Sequence, residues 1–334
     1  MKRAYRILAV DDEDFNQELL QTLLEPKGYE VVPADDGKQA LEILSEKNID
    51  LILLDINMPV MNGYEVCLRV KEDPRTRHIP VIMITSLDSR ESRLKGMEAG
   101  AEEFLQKPAD QAELLLRVGN ILRAAEYEDA FNYAIMALAR AAEANDLDTG
   151  NHILRVGEFS ALIAAELGQA DKFVEDIRLQ ATLHDVGKVH IPSHILKKPG
   201  LLDAGEMEEM KKHPAFGAAI IGNHPHLAMG RDIALYHHEK YGGGYPAGLR
   251  GEDIPLAARI VTLADCYDAL RNSRVYKPCY DHAGAYRIIT EGDDRTRPAD
   301  FDQAVLAVFK KKADRFEELY IKMTDQAAAQ KRSA

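Results

Sequence analysis

Three short runs, YRILAV (5–10), LILLDI (51–56) and VIMIT (81–85), constrain this chain more than any other feature. They are compact and dense in aliphatic and β-branched residues, the composition of strands buried on both faces of a parallel sheet. YEVVPA (29–34) and EEFLQK (102–107) are weaker strands of the same set, and FNQELLQTLLEP, GKQALEILSEK and GYEVCLRVKED between them are amphipathic at helical spacing. Five β-then-α units predict a multidomain chain that opens with an α/β, doubly wound, five-stranded parallel sheet over residues 1–122. Ligands of such a sheet bind beyond the carboxyl ends of its strands.

From about residue 123 the strand signal fades. AAEYEDAFNYAIMALARAAEAND predicts a connecting helix over 123–145, with Phe131, Ile135, Leu138 and Ala142 as an apolar seam. That seam fits a dimer interface or a face packed on the second domain. Helical patterns continue at HILRVGEFSALIAAELG, FVEDIRLQATLHDVGK, EEMKKHPAFGAAIIGNH, IPLAARIVTLADCYDALRN and AVLAVFKKKADRFEELYIKM. They predict an all-α domain over 146–325, and DQAAAQKRSA suggests a disordered tail at 326–334. A length of 334 residues suits two domains of ordinary size.

A net charge of −13 argues against partners held by bulk charge, so neither nucleic acid nor an anionic membrane is expected. An anionic small ligand would need locally concentrated cations. No run approaches a membrane span, and the short apolar stretch after MKR ends in acids, unlike a signal peptide. Cys67, Cys266 and Cys279 form no CxxC pattern, so a reducing cytoplasm is the expected setting.

Asp11 and Asp12 follow the first strand, Asp55 ends the third, Thr85 ends the fourth and Lys107 ends the fifth. The fold brings all five to one edge. Clustered carboxylates call for a hard cation such as Mg²⁺, and a lysine and a hydroxyl beside it make a pocket for a phosphoryl group. One acid at a strand end is an ordinary helix cap; polar groups at all these ends are not. With Met58–Pro59 and Lys107–Pro108, residues 4–122 resemble a response-regulator receiver domain, whose fold is flavodoxin-like. The resemblance implies that Asp55 accepts phosphate from a histidine kinase, while Asp12, Asp55 and the Asn57 carbonyl hold Mg²⁺ and Asp11 acts through water. It also assigns Thr85, Phe104 and Lys107 to the phosphorylation switch.

In the second half, His152, His184, His213, His237 and His238, with Asp148, Asp185 and Asp265, supply five imidazoles and three carboxylates. Asp148 and His152 are spaced to share one helix face. An apolar helix carrying His184–Asp185 would not bury an unpaired acid cheaply. A lone histidine is an ordinary polar residue, but this N/O set exceeds one ion's needs and fits two or three. Ions sharing Asp185 would activate water near neutral pH. The adjacent imidazoles of YHHEKYGGGYP then each complete a coordination sphere, and its glycines let the loop approach closely.

DTGNH (148–152), HDVGK (184–188), His213, HHEKYGGGYP (237–246), ARIVTLAD (258–265) and DALRNSRVYK (268–277) resemble the HD-GYP family over residues 130 to about 325. That family is a variant of the HD phosphohydrolases that hydrolyses cyclic di-GMP to pGpG, in some members onward to GMP. The resemblance implies that the eight side chains are metal ligands, that Lys188, Arg274 and Lys277 hold substrate phosphates, and that Tyr245 lines the pocket. Asp185 and Lys188 are the catalytic candidates. Fe or Mn suits the ligands, and Zn or Ni also fits. Asp148 stands where most members have an aromatic, which resembles a subset with a third ion; its alternative role is to cap the helix near Thr149. The loop after Tyr241 is one residue shorter than the family form. Two other readings remain, a cyclic di-GMP-responsive scaffold without turnover and a hydrolase of another cyclic dinucleotide.

Overall fold

The computed structural model describes residues 4–333 except 74, 87–89, 144–150 and 273–278, and only the backbone of 326–333. Contacts divide the chain into two compact units, Met1–Ala130 and Phe131–Ala334.

The first unit is a parallel sheet of β1 (Arg6–Val10), β2 (Glu30–Ala34), β3 (Leu51–Asp55), β4 (Val81–Thr85) and β5 (Glu103–Gln106), in the order β2-β1-β3-β4-β5. Every residue of β3 and β4 is buried. Successive side chains of a strand point to opposite faces, and here both faces are covered. Leu8, Val10, Ile52, Leu54 and Met83 pack on one side with Ala40, Leu44, Val66 and Val70 of the helices Gly37–Glu46 and Gly63–Glu72. Ile7, Ala9, Leu51, Leu53, Ile82 and Ile84 pack on the other with Leu20 and Leu24 of Asp14–Leu24 and with Leu114, Val118 and Leu122. Apolar runs without alternation are what such a sheet requires. The order reverses between β1 and β3, so their carboxyl ends open the crevice where ligands bind.

The last three of those residues begin a 33-residue helix, Gln111–Glu143, that runs without a break through the expected connector. In the second unit its seam is Ile135, Ala139 and Ala142, buried against Ile153, Leu183, Val186, Ile221 and Ala234. Phe131 and Leu138 are exposed. The expected four-residue stripe therefore divides: Ile135 and Ala142 face the second unit's core and the other two face solvent.

Apart from that helix, the second unit is built from His152–Glu166, Asp171–Gln180, Ala204–Met210, His213–Ile221, Ala228–Tyr236, Leu256–Arg271, His282–Glu291, Gln303–Lys311 and Ala313–Ser333, with short helical turns between them and no strand among the described residues. Phe159, Tyr267, Phe309 and Phe316 interlock at its centre. The backbone of the last helix continues through most of the segment read as a tail. One expectation is corrected. The pattern FVEDIRLQATLHDVGK is not one helix: it ends at Gln180 and gives way to two 3₁₀ turns, Ala181–Leu183 and Val186–His190, with His184 and Asp185 at their junction. No described helix is long and apolar enough to cross a membrane.

Candidate metal centre and phosphoacceptor site

In the first unit the crevice gathers Asp11, Asp12 and Asp55, whose carboxylate oxygens lie within 4.8 Å of one another. Lys107 Nζ stands 2.7 Å from Asp11 Oδ2 and 2.9 Å from Asp55 Oδ2. Burial raises the Asp55 pKa, and Lys107 only partly opposes it. Burial also works against the Lys107 charge, but the two carboxylates outweigh it and hold its pKa up. Thr85 is buried at the end of β4, and its carbonyl accepts the Lys107 N–H at 2.8 Å. Phe104 is half-buried against Gly96, and Asn57 is exposed beside Ser86. A hard cation fits three carboxylates at this spacing, since oxygen is the ligand it takes.

The second unit brings together seven of the eight predicted ligands. Asp185, His213, His237 and His238 form one set within 4.8 Å, and His152, His184 and Asp185 form another. Asp185 belongs to both. Asp265 Oδ1 lies 3.5 Å from His152 Nε2 and 3.8 Å from His184 Nε2. Asp148, Arg274 and Lys277 fall outside the described residues.

The orientation of the imidazoles decides what the cluster is for. His184 Nδ1 donates to Ala181 O at 2.8 Å, His213 Nδ1 to Met210 O at 2.8 Å, and His237 Nδ1 to Ile233 O and Ala234 O at 3.1 Å. His152 Nδ1 donates to the Asp268 carboxylate at 2.7 Å. Each outer nitrogen thus carries a proton, and each ring that holds no second proton turns an Nε2 lone pair inward. These lone pairs face one another, at 3.3 Å for His152–His184 and 3.4 Å for His213–His237. Asp185 Oδ1 has no hydrogen-bond partner, yet it lies 3.2 Å from His213 Nε2 and 3.6 Å from His237 Nε2. Lone pairs and carboxylate oxygens converging without protons between them repel unless cations sit there.

Electrostatics agrees. Burial opposes charge on His184, but Asp185 and Asp265 overcome it and lift its pKa to about 9. Burial opposes charge on Asp185 too, and Lys188 and His184 hold its pKa well below the carboxylate range. Burial, with little opposition, keeps His237 and His238 below the usual imidazole value. The carboxylate side therefore attracts positive charge, which metal ions bound there would supply in place of the His184 proton. The imidazole and carboxylate donors fit divalent ions.

Backbone permissiveness builds the site at two glycines. A Cβ on Gly187 would stand 2.0 Å from His213 O, so only glycine lets the HDVGK turn meet the start of the His213–Ile221 helix. A Cβ on Gly244 would stand 2.3 Å from His238 O, which is why the loop after the paired histidines can fold back on them. Tyr245 then stacks on His238, with ring centroids 4.7 Å apart. Lys188 Nζ lies 2.6 Å from Asp185 Oδ2. A cavity of about 150 Å³ opens beside the cluster, lined by His238, Lys240, Thr262, Asp265 and Thr296 among others.

Models of two families match the chain, the response regulator receiver domain over residues 7–119 and the HD domain over 135–300. A probable cyclic di-GMP phosphodiesterase of Vibrio cholerae is 36% identical, covering 97% of this chain and 81% of that protein. The cyclic di-GMP phosphodiesterase response regulator RpfG of Xanthomonas campestris is 36% identical over 86% of this chain and 83% of its own. This chain belongs to the response regulators that join a receiver domain to an HD domain. A partial relative, a 3′3′-cGAMP-specific phosphodiesterase of Vibrio cholerae, is 44% identical over 42% of the chain and 27% of that protein.

Sequence reasoning missed two supports of this receiver–HD regulator. Asp268, fully buried, accepts from His152 Nδ1, from Arg155 Nε at 2.5 Å and Nη2 at 2.8 Å, and from Asn272 Nδ2 at 2.6 Å. A carboxylate behind a ligating imidazole fixes its tautomer and raises its basicity. The available signal was spacing, since Asp268 sits one helical turn beyond Asp265 and Arg155 one turn beyond His152. Glu239, also buried, accepts the N–H groups of Gly244, Ala247 and Gly248 at 3.2, 2.7 and 3.0 Å and so pins the shortened loop. Its place directly after two histidines had masked that role.

Proposed function

We propose that this regulator hydrolyses cyclic di-GMP to pGpG at a centre of two or three Fe or Mn ions held by Asp148, His152, His184, Asp185, His213, His237, His238 and Asp265. The observation that carries the reading is the convergence of four Nε2 lone pairs around Asp185, together with relatives named as cyclic di-GMP phosphodiesterases. Bound ions would supply an activated water and neutralise charge growing on the phosphodiester. Asp185, shared by both ligand sets, spaces the two positions. Asp268 holds His152 by Nδ1 and so aims its Nε2 at the centre. Lys188 offers its ammonium to a non-bridging phosphate oxygen once substrate draws it from Asp185. Tyr245 stacks beside the reacting group, and Arg274 and Lys277 anchor the remaining phosphate. An acidic protein can hold an anion because these cations are local.

Upstream, Asp55 takes a phosphoryl group from a histidine kinase, with Mg²⁺ on Asp11, Asp12, Asp55 and the Asn57 carbonyl, and Thr85, Lys107 and Phe104 respond. A second copy of the chain would dock on the exposed Phe131 and Leu138. A cytoplasmic setting accords with three free cysteines.

The test incubates metal-loaded protein with cyclic di-GMP and with 3′3′-cGAMP and separates the products by chromatography. Conversion of cyclic di-GMP to pGpG, abolished by H184A/D185A, is expected. Preference for cGAMP, the substrate named for the partial relative, would change the assignment, and turnover of neither would leave a scaffold. D55N should take up no phosphate from acetyl phosphate.

A further inference from the structure

Glu143, the last described residue of the long helix, sits in a setting that should reject a carboxylate. It is 7% exposed, and its Oε2 has no hydrogen-bond partner. Buried carboxylates without a partner are rare because losing water is costly and nothing replaces it. Such a group either keeps its proton or is met by a positive charge.

Packing shows where that is. Ala139 and Ala142, immediately before Glu143, sit in one apolar cluster with Ile153, Leu183 and Val186. Those three residues flank His152, His184 and Asp185 in sequence. The same contacts therefore bring Ala142, and Glu143 after it, beside the segments that carry that ligand set. The charged groups it feels are His152, His184, Asp185 and Lys188; burial pushes its pKa up and the cationic members only partly oppose this.

The two halves of the centre are also unequal. One position has Asp185 and three imidazoles, whereas the other has Asp185, His152 and His184 in the tight set, with Asp265 Oδ1 3.5 and 3.8 Å from those two imidazoles. Octahedral divalent ions take more donors than that, and a carboxylate is the donor that offsets their charge.

We propose that Glu143 is an anionic partner of the metal centre, balancing from outside the tight set the charge of an ion bound by His152, His184 and Asp185. The assignment rests on the metal-centre reading above. It adds a ligand-side carboxylate that lies outside the predicted ligand set.

The experiment loads full-length protein with Mn²⁺, dialyses it against graded chelator, and counts ions per chain by elemental analysis for wild type and E143Q. Melting is followed with and without metal. E143Q should release its most labile ion at roughly 10–100-fold lower chelator strength, the scale of lost ligand support. The metal-free variant should melt no lower than metal-free wild type, because an unpaired buried acid has been removed, whereas the loaded variant should melt lower. Should E143Q fail to fold, E143D, one methylene shorter, should shift the chelator midpoint in the same direction. An unchanged ion count and midpoint, or an equal loss of melting temperature in both states, would overturn the assignment while leaving the metal centre standing. Wild type holding no ion would overturn both.

Discussion

Replacing Asp268 with Asn tests whether the cluster is built from behind. Asp268 is fully buried and accepts from Arg155 through both of its carboxylate oxygens, while also orienting His152. Burial raises the cost of its charge, yet Arg155 and His152 outweigh that and depress its pKa. Removing one partner of a buried ion pair strands the other, at about 3–5 kcal/mol. Hydrogen bonds to the isosteric Asn recover part of this, so a loss of about 3 kcal/mol is expected. For a unit of this size that is roughly 6–12 °C in melting temperature. Metal affinity should fall about 10–100-fold, because His152 loses the carboxylate that fixes its tautomer. Calorimetry on the metal-free protein and elemental analysis after chelation read the two effects separately. Adding Arg155→Met should restore part of the stability, since the buried guanidinium that lost its carboxylate is then gone, but it should not restore metal binding. If D268N holds its ions as wild type does, or if the double variant regains them, the support argument is wrong.

Gly187→Ala should misplace His213, because its Cβ would meet backbone and not a yielding side chain; hydrolysis and bound metal should fall together, with about 1–3 kcal/mol of stability lost by overpacking. Glu239→Gln should raise KM for the dinucleotide through a loosened loop while leaving the ion count unchanged, as three loop N–H groups lose a charged acceptor; a variant that loses metal instead would place Glu239 in the centre itself. Cys67 is buried, and burial lifts its thiol pKa to about 11, so it should resist alkylation in the folded protein while exposed Cys279 reacts. A raised thiol pKa stabilises the fold fully below the unfolded value near 9; that contribution should be lost as pH climbs to about 11, visible as a falling denaturation midpoint across that window.

Local pattern carried a large part of this structure because burial on both faces of a parallel sheet leaves a direct mark on composition. LILLD and VIMIT could hardly be anything else, and a strand's end dictates where its next polar residue emerges. The candidate donors were legible for a similar reason: imidazoles and acids brought together in such numbers have few other uses. The pattern failed where the backbone departs from the period its apolar residues suggest. FVEDIRLQATLHDVGK keeps helical spacing past Gln180, yet the chain turns into 3₁₀ geometry so that His184 and Asp185 can point at one spot.

Sequence alone, then, determined the kinds of element, their order and the donor chemistry available, since each depends on neighbours along the chain. Tertiary structure decided which nitrogen of each histidine holds its proton, and hence that the lone pairs converge. It also set Asp268 behind His152 across 116 positions of sequence, and divided the long helix's stripe into a buried seam and an exposed remainder. Those outcomes depend on contacts between distant segments, where direction and distance, not residue type, determine what a side chain does.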